Sequence, residues 1–361
     1  MSTPYAEIES IEQVVNAGCQ RFVHCAFQEI DFTKIDERKV CELSFVDCIF
    51  MGCEISPLMH IGEDCVVLTA LKKPYRQFRA KMYSPGELYA QNGSGQIFDN
   101  EVYSHYLETG KQSQDISETL ARAMHDHSIL DALYDYLAQR DEKDIVAIMG
   151  GHGMLRTDEE YAKIVYLAKS LTEQGKLLVS GGGPGAMEAT HLGAWLAGRK
   201  MQDVEDALTI LSVAPHYSDA RWLDSAFEVI SCFPQDRYES VSIPTWLYGH
   251  EPSTPFATHI AKLFDNALRE DGLLTIAKGG VVYAPGSAGT MQEIFQDAVQ
   301  NHYLSFGYSS PMVFLGKNYW TKTIPVYNLL TSLSESKKYK NLQLSITDDV
   351  DEIVKILLDF Y

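Results

Sequence analysis

The chain has 361 residues, 45% of them apolar, which is enough for a buried core and too much for a disordered chain. Thirty Lys and Arg stand against 49 Asp and Glu, a net charge of −19 that argues against nucleic acid as the main partner. One small phosphorylated ligand stays admissible, because local backbone N–H groups hold a phosphate whatever the overall charge.

No stretch approaches the roughly 20 apolar residues of a membrane span. The first residues carry Glu7, Glu9 and Glu12 and lack the basic-then-apolar order of a signal peptide. A cytoplasmic protein with no membrane partner is expected. The seven cysteines are Cys19, Cys25, Cys41, Cys48, Cys53, Cys65 and Cys232. None forms a CxxC pair, so zinc and thioredoxin patterns are absent and reduced, packed thiols are expected.

Residues 19–56 carry a five-residue rhythm: Phe22, Phe27, Phe32, then Phe45, Phe50 and Ile55, with Cys25, Cys48 and Cys53 two places before three of them. This period fits neither a helix nor an alternating strand. It resembles the pentapeptide-repeat pattern, in which large apolar residues stack inside a square β-coil. A small β-meander with chance spacing is the other reading. Either way, residues 1–114 are expected to form a β-rich domain with a packing or assembly role. Ser84, Pro85, Gly86, Asn92, Gly93, Ser94 and Gly95 supply its turn-rich boundary. Asp115 and Glu118 then read as a capping box, and helical spacing from Leu120 to Leu137 makes 115–143 a helical linker.

From Asp144 to the end, short apolar runs alternate with amphipathic segments. Ile145–Met149, Leu177–Val179, Leu208–Val213, Glu228–Ile230, Val281–Ala284 and Met312–Leu315 read as strands. Thr157–Gln174, Gly185–Ala197, Phe256–Leu268, Ala288–Tyr303, Tyr319–Ser332 and Val350–Phe360 read as helices. The alternation predicts an α/β domain over 144–361 with a mostly parallel, Rossmann-like doubly wound sheet, its ligand beyond the carboxyl ends of the strands.

Three of those ends carry glycine clusters: Gly150-Gly151-His152-Gly153, Ser180-Gly181-Gly182-Gly183-Pro184-Gly185-Ala186-Met187-Glu188, and Pro285-Gly286-Ser287-Ala288-Gly289-Thr290. Glycine lets another atom approach the backbone, and a following helix offers free N–H groups to an anion. Each cluster alone could be a tight turn; three at one sheet edge predict a nucleotide cradle. The spacing is neither GxxxxGK[ST] nor a clean GxGxxG, which removes the main support for triphosphate hydrolysis and dinucleotide redox chemistry. No GxSxG or HExxH occurs, and His125 and His127, two apart on a helix, face different ways, so no metal site is expected.

SGGGPGAMEA at 180–189 followed by PGSAGTMQE at 285–293 resembles the LOG (Lonely Guy) family, often labelled "lysine decarboxylase", and among its members the bacterial nucleotide 5′-monophosphate nucleosidases. The resemblance covers residues 144–361, including a closing strand and helix at Leu344–Phe360. It implies hydrolysis of the N-glycosidic bond of a nucleoside 5′-monophosphate to free base and ribose 5-phosphate, without cofactor, in a homodimer or a multiple of dimers. No lysine here has a pyridoxal-site setting. Two departures stand out. Ser287 replaces the second glycine of PGG, and the family's Arg-Lys pair has no counterpart here, Arg269 in ALREDGLL lying within about one residue of the expected spacing.

On this resemblance Glu293 holds the ribose and activates water, and Arg269 binds the phosphate or the departing base. Glu293 would otherwise close a capping box with Thr290, and Arg269 would otherwise offset a helix dipole. Gly286, Ser287, Ala288, Gly289 and Thr290 would take the phosphate. Gly150, Gly151, Gly181, Gly182, Gly183, Gly185, Met187 and Glu188 would line the rest of the substrate site. Lys262 reads as a solvated residue and His152 as a turn histidine. The stretch Ile243–Pro252 is long for a connection and suits a pocket wall or a dimer contact through Trp246 and Tyr248. The rival function is a nucleotide-sensing module without catalysis; a carrier of a phosphorylated cofactor rests on the fold class alone.

Overall fold

The structure, a computed structural model, describes residues 5–18, 20–91 and 95–360. Cys19 and the boundary residues Asn92, Gly93 and Ser94 lie outside them. The chain forms two units, one running up to Met82 and including Asp99–Tyr136, the other made of Tyr83–Phe98 and Leu137 onward.

In the first unit the five-residue rhythm becomes a parallel coil. Strands Ala6–Ile8, Cys25–Gln28, Ile49–Met51 and Val66–Leu68 form one sheet in that order, and Arg21–Val23, Ser44–Val46 and His60–Ile61 a second. Every pairing is parallel, whereas a meander needs antiparallel hairpins. Register sets Phe22 beside Phe45 and Phe27 beside Phe50, with ring centroids 5.7 and 5.0 Å apart. Thiols fill the space between rungs: Cys48 Sγ donates to Phe22 O and Cys53 Sγ to Phe27 O, and burial pushes both up to about 11. Cys41, Cys48, Cys53, Cys65 and Cys232 are free thiols.

The helix Ile116–Leu137 belongs to the same unit, but its start is not the expected capping box. Asp115 Oδ1 accepts from Ser117 N at 2.9 Å. Glu118 turns inward, where Tyr75, Lys73, His105 and Arg122 surround its carboxylate at 2.9–3.0 Å and hold it down at about 2.

The second unit carries a seven-stranded sheet. Its strands are β1 (Ile145–Met149), β2 (Leu177–Ser180), β3 (Ser240–Ser242), β4 (His259–Ile260), β5 (Val281–Tyr283), β6 (Pro311–Leu315) and β7 (Gln343–Thr347). They lie in the order β4-β3-β2-β1-β5-β6-β7, all parallel. The helices are α1 (Glu159–Glu173), α2 (Ala186–Trp195), α3 (Met201–Leu211), α4 (Trp222–Cys232), α5 (Asn266–Ile276), α6 (Ala288–Tyr303), α7 (Val326–Glu335) and α8 (Val350–Leu358). This is the expected doubly wound class. Val146, Ile148, Leu178, Val282 and Val313 of the sheet are buried with Ile164, Leu192, Ile353 and Leu357 of the helices, forming one core.

Three element assignments change. The apolar runs 208–213 and 228–230 are not strands but parts of α3 and α4, whose buried residues Val204, Ala207 and Leu211, and Ala226 and Val229, recur at helical spacing. The expected helix 256–268 is instead a loop, the short strand β4 and the start of α5. Strand order reverses between β1 and β5, so the ends of these neighbours open the crevice that such sheets offer to ligands.

Candidate active site

At this crevice β1 runs into Gly150-Gly151 and β5 into Pro285-Gly286-Ser287. Gly151 N donates to Pro285 O at 3.0 Å, tying the two loops together. Side chains are excluded by contact: a Cβ on Gly150 would lie 2.6 Å from Ala186 Cβ, and one on Gly286 would lie 2.8 Å from Thr290 Cβ. Gly185 has φ +69° and precedes α2, and Ala186 N donates to Gly151 O at 3.2 Å. Gly150 and Gly185 thus shape the loops through packing.

A cavity of about 520 Å³ opens at this edge, lined by Gly151, Gly286, Ser287, Asn318 and Tyr319, with Asp158, Glu160 and Asp348 at its wall. Tyr319 OH donates to Gly286 O at 2.6 Å and fixes the loop. Ser287 is the N-cap of α6 but its side chain makes no capping bond, and Ser287, Ala288 and Gly289 are exposed. Free N–H groups of a first helical turn at this place suit an anion.

The second glycine loop shapes a different space. Gly181, Gly182, Gly183, Met187, Pro244, Thr245, Tyr248, Glu251, Ser253 and Arg269 line a cleft of only about 30 Å³. Gly182 needs its φ of +78°, and a Cβ there would sit 2.7 Å from Ser242 Cβ. A Cβ on Gly181 would strike the Arg269 guanidinium. Gly183 N donates to Met187 Sδ at 3.4 Å. The cleft and the large cavity share no lining residue.

Arg269, on α5, reaches between these loops. Its Nε donates to Ile243 O at 3.0 Å and its Nη1 to Glu270 Oε1 at 2.7 Å. The same Nη1 lies 3.8 Å from Glu293 Oε1, too far for a hydrogen bond. Because α6 begins at Ala288, Thr290 falls inside its first turn and cannot be the N-cap; the alternative capping box with Glu293 does not form. Glu293 instead stands in the second turn, 6% exposed. Burial pushes its carboxyl up to about 7, with Arg269 pulling it down and Glu270 pushing it up. A carboxyl that ionises there both accepts and donates a proton at neutral pH. One turn on, Asp297 is also raised to about 7 by burial and accepts from Tyr283 OH at 2.7 Å and Asn301 Nδ2 at 3.2 Å.

Several expected positions fall elsewhere. Glu188 is fully buried, and its oxygens accept from Arg156 Nε at 2.9 Å, Arg156 Nη2 at 2.5 Å and Tyr161 OH at 2.9 Å, so its carboxylate is committed to the core. Lys262 is not solvated: it is 1% exposed, donates to Ser253 Oγ at 3.1 Å and lies 5.3 Å from the Trp246 ring centroid. Trp246 is buried against Phe264 and offers no dimer contact, while Tyr248 is exposed at the cleft. His152 Nδ1 and His250 Nε2 each lie 3.8 Å from Glu251 Oε1. Sequence reasoning missed Glu270, Tyr319 and the acidic wall, whereas Glu251 lies in the Ile243–Pro252 stretch expected to suit a pocket wall.

No known family profile matches the chain, and no curated protein matches its sequence. Among solved structures, it is similar to the molybdenum cofactor binding protein of the phototrophic bacterium Rippkaea orientalis, at 13% identity and a TM-score of 0.38, over 59% of this chain and 94% of that one. The Moco carrier protein of Chlamydomonas rheinhardtii gives 17%, 0.36, 59% and 96%. A protein named TM1055 gives 20%, 0.39, 59% and 98%. Likeness at this level concerns the fold alone. Among the described residues no helix is long and apolar enough to cross a membrane.

Proposed function

We propose that the second unit hydrolyses the N-glycosidic bond of a nucleoside 5′-monophosphate, as its resemblance to the LOG family implies. The observation that carries this reading is Glu293: a buried carboxyl poised near pH 7, with no hydrogen bond to its own helix, one turn from the exposed amides that open that helix. A 5′-phosphate on the N–H groups of Ser287 to Thr290 would set the ribose along α6, whose turn advances about 5.4 Å. Ionised Glu293 takes a proton from water as the water oxygen bonds to C1′. The C1′–N pair leaves with the base, which takes up a proton, and positive charge building on the ribose is offset by the carboxylate. Arg269, aimed at the Gly181–Gly183 loop, is the cation for phosphate or base. Glu188 has no part in this.

The test is incubation with a panel of 5′-monophosphates and their nucleosides, followed by chromatography for free base. Release from monophosphates alone is expected, falling about 10²–10⁴-fold in Glu293→Gln. A second reading, a nucleotide or cofactor-binding module without turnover, is favoured by the separation between the large cavity and the narrow Arg269 cleft. Tight binding with no release from any substrate would select it.

A further inference from the structure

Arg269 has two carboxylates competing for one nitrogen. Its Nη1 lies 2.7 Å from Glu270 Oε1 and 3.8 Å from Glu293 Oε1, while Nε is anchored separately on Ile243 O. Glu270 is an odd residue to place here. It is 5% exposed, and its Oε2 has no hydrogen-bond partner. Its other neighbour, Asn266 Nδ2, stands at a long 3.5 Å, and Asn266 Oδ1 is itself unbonded. A buried carboxylate with one oxygen unsatisfied is costly, and an apolar side chain would avoid that cost. Its one strong contact is Arg269. With Glu270 gone, the guanidinium would have Glu293 as its nearest carboxylate, and a shift of about 1 Å would close a direct salt bridge.

We propose that Glu270 is a positioning residue: it detains the Arg269 guanidinium short of Glu293, leaving both Glu293 oxygens free for a ligand or a water. The inference rests on the hydrolytic reading only for what that carboxylate does once free. The charged and titratable groups facing Glu293 are Arg269 and Glu270 from α5 and Tyr283 from β5; Asp297 follows one turn along its own helix. Tyr283 and Asp297 are committed to each other, so Glu270 is the group whose loss lets Arg269 move.

The experiment reads Glu293 directly. Protein labelled with ¹³C at the glutamate side-chain carboxyls is titrated by NMR, with the Glu293 signal assigned by its loss in E293Q. The wild-type midpoint is expected near pH 7. In E270Q it should fall by about one unit, a tenfold loss of proton affinity; the same change made on R269Q, where only the Glu270 charge is lost, should lower it by clearly less, and an equal fall on both backgrounds overturns the proposal. An unmoved midpoint in folded E270Q overturns the proposal. So does a wild-type midpoint at the ordinary value of about 4.3, whatever the variants do. Base release is followed in parallel. A shifted midpoint with no release from wild type keeps the role of Glu270 and rejects hydrolysis; release with an unmoved midpoint does the reverse.

Discussion

Arg156 meets Glu188 through two hydrogen bonds of 2.9 and 2.5 Å, whereas Arg269 stops 3.8 Å short of Glu293. The first pair is closed. Arg156 also donates to Ala214 O and Ser225 Oγ and stacks 4.6 Å from the Trp222 ring centroid, and Tyr161 completes the Glu188 carboxylate. The second pair is held open and surrounded by unbonded polar atoms, Glu270 Oε2 and Asn266 Oδ1. The same two residue types therefore serve opposite ends: a satisfied buried ion pair fixes α2 in place, and an unsatisfied one leaves a carboxyl able to change its charge.

Breaking the closed pair should have the largest effect. Glu188→Ala strands the Arg156 guanidinium in the core and should cost about 3–5 kcal/mol in denaturant unfolding; a loss under about 1 kcal/mol would mean that the guanidinium finds water and the pair is not a support. The open pair should respond to pH instead. The Glu293 carboxyl is raised in the folded chain to about 7 from an ordinary 4.5. Its stabilising contribution is therefore fully present below pH 4.5 and is lost as pH rises through 7. Gln, neutral throughout, escapes that loss. Glu293→Gln should gain on wild type as pH rises from 4.5, reaching an advantage of about 3 kcal/mol above pH 8. A gap that stays flat with pH would show Glu293 to be an ordinary surface-like carboxylate. Gly181→Ala sharpens the comparison at smaller amplitude. Its Cβ would strike the Arg269 guanidinium and lie 2.7 Å from Met187 Sδ. A loss of about 1–3 kcal/mol in thermal unfolding is expected, with the equivalent change at Gly289, where a Cβ meets nothing within 4 Å, as the near-neutral control.

Much of the fold is written locally. β1, β5 and β6 are continuous apolar runs buried on both faces, the mark of a parallel sheet. The phenylalanine rhythm likewise admits the coil, but it fits a meander as well, and only the parallel pairing decides between them. β3 and β4 are illegible for the opposite reason. Ser240-Val241-Ser242 and His259-Ile260 are short and polar; β3 is a strand because β2 is there to pair with, and β4 because β3 is. The site divides in the same way. Its glycine loops are visible as spacing, since contact geometry at each demands the absence of a Cβ. Its electrostatics are not, because Arg156 and Glu188, or Arg269 and Glu293, are far apart along the chain and near each other only in the folded unit. Glu188 sits in the first turn of α2 and reads as a residue of the substrate site; that its carboxylate faces inward is decided by Arg156.

The parallel coil of the first unit has a consequence for how its length can change. Each circuit enters and leaves in the same direction, and Phe45 and Phe50 repeat the seats of Phe22 and Phe27. A whole circuit could therefore be duplicated or excised with both flanks still in phase, like a floor added to a stairwell. A single inserted residue would instead throw every later ring from the inside to the outside.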